Sequence, residues 1–209
     1  MDPKDRVRWI CSSKDMEELC RRYDAWADRY DEDLIQAHGY RGPQKAVSAL
    51  MEFVADRNAR ILDAGAGTGL VGELLHQEGY RHLVGIDLAQ GMLRVASEKA
   101  VYGSLLRMAL GESLAFPDSH FDAVISVGVF TQGHAPPKAF DELVRITRPR
   151  GVLVFTLRCE TYAQMGFKEK FQELEQAGLW KLEGASEPFP STPRSDPHTC
   201  VQVWAFRRC

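Results

Sequence analysis

Three glycines at every second position, Gly65, Gly67 and Gly69, follow a short apolar run in "ILDAGAGTGL", with Asp63 two places before the first of them. A backbone bared this often lets a ligand approach the main chain, and glycine accepts the positive φ that side chains resist. A helix starting just beyond the loop points free N–H groups at the same place. The chemistry that suits this arrangement is the binding of a nucleoside-bearing cofactor. On its own the loop is equally compatible with a tight strand-to-helix turn, so the spacing and the neighbouring acids must discriminate.

The glycines fall as GxGxG, and Leu70 stands where a dinucleotide fingerprint, GxGxxG, places its third glycine. No GK[ST] follows, which excludes a P-loop. Asp87 ends the next apolar run in "LVGIDLAQGML". A carboxylate there can accept both hydroxyls of a ribose, as the acid of dinucleotide sites does; Asp is also a good helix N-cap. Strand, glycine loop, helix, strand and terminal Asp in this order favour the nucleoside site.

Further along, "SVGVFTQGHAPP" carries His134, whose imidazole titrates near neutrality and suits proton transfer. It is equally a polar loop residue ahead of a Pro-Pro helix start. The acidic run Asp28, Asp31, Glu32, Asp33 looks like a metal cluster, but on a helix these residues do not share one face. A solvated surface is expected there, and no metal site.

These groups need a scaffold. Residues 59–63, 82–87, 102–108, 121–127 and 152–157 read as short buried strands, with helices predicted over 70–75, 91–100, 138–147 and 162–176. Weaker strands are expected near Trp180 and over 201–206. Strands too apolar to face water, alternating with helices, predict a largely parallel sheet covered on both faces. The fold expected is α/β, doubly wound, with seven mostly parallel strands. Upstream, Leu19, Tyr23, Trp26, Ala27 and Tyr30 form one helical stripe, and a second helix carries Ala46, Val47, Leu50 and Met51. The first ten residues are expected to be loose. The segment 186–197 holds four of the ten prolines and is expected to be a loop.

With 209 residues, 44% hydrophobic and 26% charged, one domain is the default: helices over 1–57 and an α/β core over 58–209. A net charge of −3 gives no footprint for a phosphate backbone, which disfavours nucleic acid as partner. No apolar run reaches membrane-span length, and the N-terminus lacks a secretory apolar core. The five cysteines (Cys11, Cys20, Cys159, Cys200, Cys209) form no CxxC pair and read as free thiols of a cytoplasmic protein.

From about Tyr23 to Phe206 the chain resembles the class I S-adenosylmethionine-dependent methyltransferases. "LDAGAGTG" looks like their first motif, "GIDLAQGML" like the second, "LAFPDSHFDAVIS" like the third, and "DELVRITRPRGVLVFT" like their last helix, turn and fifth strand. The resemblance implies a Rossmann-like core and S-adenosylmethionine as cofactor, with S-adenosylhomocysteine as product. Position by position it implies that Asp63 and the backbone of Ala64, Gly65, Gly67 and Gly69 hold the methionine end. Asp87 then binds the ribose, Leu88 and Met92 flank the adenine, and Gly111 offers backbone to it beside Val127. Family members often carry an acid just before that glycine; here it is Leu110, and either Glu112 substitutes or the contact is missing. The N-terminal helices would cover the cofactor, with Tyr30 reaching the methionine carboxylate. Arg150 replaces the first glycine of the usual Pro-Gly-Gly turn.

Methyl transfer from a sulfonium chiefly needs alignment and desolvation of the acceptor, and alignment alone supplies about 7–11 kcal/mol. Ser126-Val127-Gly128-Val129 is not the Asn/Asp-Pro-Pro-aromatic clamp of base and amide methylation. The expected acceptor is therefore a small molecule or, second, a protein side chain, with His134 as candidate base. Arg41, Arg158 and Tyr162 are acceptor-pocket candidates by location only, and a solvated or structural role is the stronger expectation for each. The rival from another class is a non-catalytic S-adenosylmethionine sensor or partner subunit.

Overall fold

The computed structural model describes residues 2–209; the side chains of Lys4 and Cys11, and with the latter one of the expected thiols, lie outside the described residues. Cys20, Cys159, Cys200 and Cys209 are free thiols.

Neighbouring residues of the central strands are buried in opposite directions, which explains their lack of a polar face. In β1 (Arg60–Ala64) Ile61 packs on Val47 and Leu50 of α3 (Gly42–Phe53) and on Val71 and Leu75 of α4 (Leu70–Gln77). Leu62 belongs to the opposite cluster, with Phe140 of α6 (Ala139–Ile146) and Phe171 of α8 (Phe167–Gln176). Ala123/Val124 and Val152/Leu153 divide in the same way. Both faces are covered, so this is the doubly wound arrangement.

The sheet adds β2 (His82–Asp87), β3 (Ser104–Arg107), β4 (Phe121–Phe130), β5 (Thr147–Arg158), β6 (Trp180–Ala185), β7 (Phe189–Thr192) and β8 (Asp196–Arg208), in the order β3-β2-β1-β4-β5-β8-β6. Strands β1 to β5 pair in parallel. β8 runs antiparallel to β5, β6 and β7. The sheet thus has eight strands rather than seven, and is mixed. The extra strand comes from the proline-rich segment expected to be a loop. Its Pro190 sits opposite Cys200 on β7, which pairs with β8 alone, and an edge strand tolerates a residue without an N–H. The chain order reverses between β1 and β4, and beyond their carboxyl ends is where such sheets bind ligands.

The N-terminal region departs from expectation at its start. Residues 3–11 are not loose: they form α1 (Pro3–Cys11), whose Ile10 is buried against Leu19, Trp26 and Leu34. Arg6 pairs with Asp33, which also accepts from the Trp26 indole at 2.6 Å. Asp33 is therefore buried, not solvated. α2 (Met16–Glu32) is capped by Asp15, which accepts from the Glu18 N–H at 2.8 Å. It lies on α5 (Gln90–Glu98), packing Ala27 on Ala89 and Met92. Asp31 pairs with Lys99 at 2.7 Å, and of the acidic run Asp28, which pairs with Arg94, and Glu32 are exposed. A π-helical turn, Asp33–His38, follows and ends at Gly39, which is left-handed at φ 67°.

Two local departures have plain causes. The helix expected over 162–176 is split into α7 (Cys159–Gln164) and α8, because Gly166 takes φ 79° between them. Arg150 itself adopts φ 67°, the conformation that the absent glycine would have supplied. Among the described residues no helix is long and apolar enough to cross a membrane.

Candidate functional site

The loop between β1 and α4 is tied to the end of β2. Gly65 and Ala66 donate to the Ile86 carbonyl at 2.8 and 2.9 Å. Asp87 accepts from the Gly67 N–H through one oxygen (2.8 Å) and from the Ala89 N–H through the other (2.9 Å). It is therefore not the side-chain cap of α5, whose N-cap, Ala89, has none. Burial raises the Asp87 pKa, opposed by the N–H groups of Ala89, Gly67 and Leu88. Each oxygen retains lone-pair capacity on the side facing the cavity.

A cavity of about 130 Å³ lies over this loop. Gly65, Gly67, Asp87, Leu88, Met92 and Val127 line it, as does Tyr30 of α2. The glycines differ in what they leave open. A Cβ on Gly67 would meet nothing within 4 Å, so the space above it is free for a ligand. A Cβ on Gly65 would stand 2.2 Å from Cγ2 of Val129, so that position is closed by the protein itself. Gly69 does not line the cavity; its space goes to Tyr102 and Ala96.

Asp63 lies beneath the loop, 1% exposed. Its Oδ2 accepts from the Tyr102 hydroxyl at 2.6 Å, while Oδ1 is buried without a partner. Burial, with a contribution from Asp87 and against the Tyr102 bond, pushes its pKa up to about 7. Leaving a buried acceptor unpaired costs about 1–3 kcal/mol. A cationic ligand group brought to Oδ1 removes that cost.

Not every residue assigned from the sequence reaches the cavity. The wall after β3 is made by Met108, Ala109 and Leu110, and Gly111 and Glu112 fall outside it. Gly111 instead approaches Pro136, where a Cβ would come within 2.7 Å of the ring. Ala64 is fully buried, and its carbonyl accepts from Ser126 at 2.6 Å. Leu19, from the expected helical stripe, lines the cavity too, and Met16 and Cys20 of α2 form an unforeseen part of the wall. The helical stripe pointed inward, but which residues stand over a ligand depends on how α2 docks on α5.

His134 is half-buried at the far end of the same cavity. Its Nδ1 faces the Gln132 carbonyl at 3.1 Å and its Nε2 faces the Tyr23 hydroxyl at 2.9 Å. Burial holds its pKa below the ordinary imidazole value, with a smaller push from the Arg158 charge. Here a second cavity begins, of about 430 Å³. Tyr23, Tyr30, Gly128 and His134 line both. Of the candidates by location, Arg158 lines the second; Arg41 and Tyr162 do not. Tyr162 packs on Phe171 and Trp204 in the core. Tyr40, unforeseen, does line it, and its hydroxyl overhangs Gly128.

The residues of the first cavity suit S-adenosylmethionine. The clear space over Gly67 admits the chain close to the backbone, and Asp87 offers two oxygens to a ribose. Asp63 does not itself line the cavity; its orphaned oxygen, two residues before Gly65, would suit a cationic amino group that reaches past the loop. When bound, that cofactor supplies an electrophilic methyl group on a sulfonium sulfur.

The family model described as a methyltransferase domain matches residues 62–155. The chain is 36% identical over 183 residues to methyltransferase-like protein 27 of Homo sapiens, covering 84% of this chain and 74% of that one. It is 33% identical over 135 residues to a malonyl-[acyl-carrier protein] O-methyltransferase of Serratia marcescens, covering 60% and 52%. Shorter stretches match methyltransferases of 18S rRNA. A TehB-like SAM-dependent methyltransferase from Corynebacterium glutamicum shares the fold, with a TM-score of 0.64 at 21% identity over 90% of this chain and 99% of that one. Sequence relationship, fold and the ligand-shaped loop agree: the chain belongs to the class I methyltransferases, and S-adenosylmethionine is its cofactor.

Proposed function

We propose that the protein transfers the methyl group to a small molecule held in the larger cavity, with Tyr23 and His134 at the point of transfer. The observation that carries this is the shared wall: the cofactor cavity and the second cavity meet at Tyr23, Tyr30, Gly128 and His134. An acceptor in the second cavity meets the methyl group there, out of water, which is most of what such a displacement asks of the protein. At about 430 Å³, with aromatic walls and a few polar groups, the second cavity has the size and character of a small-ligand site.

Bound S-adenosylmethionine would supply an electrophilic methyl group that carries its own leaving group, the sulfur with its electron pair, and the shared wall of Tyr23, Tyr30, Gly128 and His134 would align the acceptor heteroatom with it. Where that heteroatom bears a proton, Tyr23 takes it while passing its own to Nε2 of His134. Tyr30 and the backbone of Gly65 and Gly67 position the methionine end, Asp63 faces its amino group, and Asp87 the ribose. The cytosol is the compartment that suits this arrangement, with its supply of cofactor.

The test is an acceptor screen followed by S-adenosylhomocysteine release, with His134→Ala alongside. Turnover of a small molecule, lost in the variant while cofactor affinity stays unchanged, supports the reading. Turnover only with RNA or a protein substrate, or cofactor binding without turnover of anything offered, rejects it.

A further inference from the structure

Arg158 ends β5 with its guanidinium in the larger cavity, half-buried. Most guanidiniums that tie elements together here are engaged: Arg6 with Asp33, Arg22 with Glu18, Arg145 with Glu142 and Asp118, Arg207 with Glu183. Arg158 has neither an ion pair nor a side-chain hydrogen bond among the described residues. A half-buried guanidinium with no ion pair, facing a cavity, keeps its donors available for an anion brought there.

No group around it forms an ion pair with it. The charged side chains lining the cavity are Arg8, Arg158 and Asp196. Asp196 feels the Arg158 charge, which adds to the lowering of its pKa, but its oxygens are spent on the Thr199 hydroxyl and on the N–H groups of Thr199 and His198. His38 is held by Ser195 at 2.6 Å and by the Pro3 carbonyl at 3.2 Å. His134 is held by Tyr23 and Gln132. The remaining wall includes the rings of Tyr23, Trp26, Tyr30 and Tyr40.

We propose that the methyl acceptor is a planar, anionic small molecule whose carboxylate or phosphate pairs with Arg158 while its ring lies among Tyr23, Tyr30 and Tyr40. This rests on the small-molecule methyl-transfer reading given above. Guanidinium is suited to the task because its fork meets two oxygens of a carboxylate or phosphate at once. The pairing has a second consequence. Neutralising Arg158 removes a charge that opposes protonation of His134, so the anionic acceptor makes its own proton acceptor more basic on arrival.

The experiment uses the protein saturated with S-adenosylhomocysteine, titrated by calorimetry with benzoate, phenyl phosphate and the neutral benzamide. The expected result is that at least one anion binds about tenfold or more tighter than benzamide. Arg158→Gln should abolish that preference and Arg158→Lys retain part of it, both with unchanged S-adenosylhomocysteine affinity. Arg158→Gln should also melt at or above the parent temperature, because it deletes an unpaired charge; a merely structural arginine would lower it. Benzoate against phenyl phosphate separates the two anion types. Equal binding of benzamide and both anions, no binding of either anion at millimolar concentration, or an intact preference in Arg158→Gln overturns the proposal. Failure of the unmodified protein to bind S-adenosylhomocysteine would instead strike the methyltransferase reading, and is measured first.

Discussion

The Tyr23 hydroxyl donates to Nε2 of His134 at 2.9 Å, joining α2 to the loop after β4. The tautomer follows from the other nitrogen. The Gln132 carbonyl can only accept, so Nδ1 carries the ring proton and Nε2 offers its lone pair to Tyr23. A base tethered in this way acts through the tyrosine. His134→Ala should lower kcat about 10²–10⁴-fold at unchanged cofactor affinity, the usual worth of general-base catalysis. Tyr23→Phe should match it if the proton passes through the hydroxyl. Because burial depresses the His134 pKa, the acid limb of the rate should lie below the ordinary imidazole value of about 6.5. A raised Michaelis constant with kcat intact in either variant would mark the pair as acceptor-positioning only.

Gly67 and Asp87 test the cofactor cradle from its two sides. Gly67→Ala places a methyl group where nothing lies within 4 Å, so the fold should tolerate it apart from about 1–2 kcal/mol for a side chain at φ 55°. The S-adenosylmethionine chain should not. Asp87→Ala loses charge-assisted bonds to hydroxyls and should weaken cofactor binding by about 1.5–3 kcal/mol. It also frees the N–H groups of Gly67 and Ala89, so some thermal stability should go with it. Calorimetric affinities equal to the parent's in both variants would place the cofactor elsewhere. Gly65→Val does not discriminate, since Val129 blocks it before any ligand arrives.

What was legible in the sequence was what local spacing determines. The glycine loop, the acid closing β2 and the apolar strands read correctly because each is set by a few adjacent residues. The join between cavities was not legible. Tyr23 and His134 are 111 positions apart and meet only when α2 docks on α5. Asp33 read as one of a solvated acidic run because its partner, Arg6, belongs to a helix whose own charges hid its buried Ile10. Gly111 and Glu112 lie outside the cavity wall for a different reason: the wall after β3 is made by Met108, Ala109 and Leu110, and Pro136 occupies the space beside Gly111. The strand β7 was masked by Pro190 and the prolines that flank it, and an edge position accommodates Pro190.

Arg150 offers a stability test remote from both cavities. Its φ of 67° costs an L-residue about 1–2 kcal/mol, and its side chain is exposed. Its carbonyl, which accepts from Arg207 at 2.9 Å, is kept by any substitution. Arg150→Gly should therefore stabilise the protein, by about 0.5–1 kcal/mol once the greater freedom of unfolded glycine is deducted. Chemical denaturation reads this directly, and cofactor affinity should not move. A lower midpoint would mean that the Arg150 side chain contributes more than its backbone costs.

With the cofactor's amino group placed at Asp63 as proposed, the raised pKa of that carboxyl sets the direction in which binding should depend on pH. Its folded pKa is raised, to about 7, so the folded state holds a proton that the unfolded chain has lost. Stability without ligand should accordingly fall as pH rises from about 4 through 7. Binding reverses the preference, because a cationic amino group opposite Oδ1 favours the carboxylate. At pH 6 S-adenosylmethionine binding should release a proton from Asp63, and affinity should climb towards neutrality. Above about 8 the free amino group is itself deprotonated, since its ordinary value is about 7.7–8.0, and binding should take a proton up instead. Affinity is thus expected to peak between about pH 7 and 8. Calorimetry in two buffers of different ionisation enthalpy counts the protons and their sign. Asp63→Asn should weaken binding at pH 7.5, erase the acid limb and raise ligand-free stability at pH 8. Proton release absent at pH 6 in the parent protein, or an acid limb surviving in Asp63→Asn, would assign the amino group a different partner.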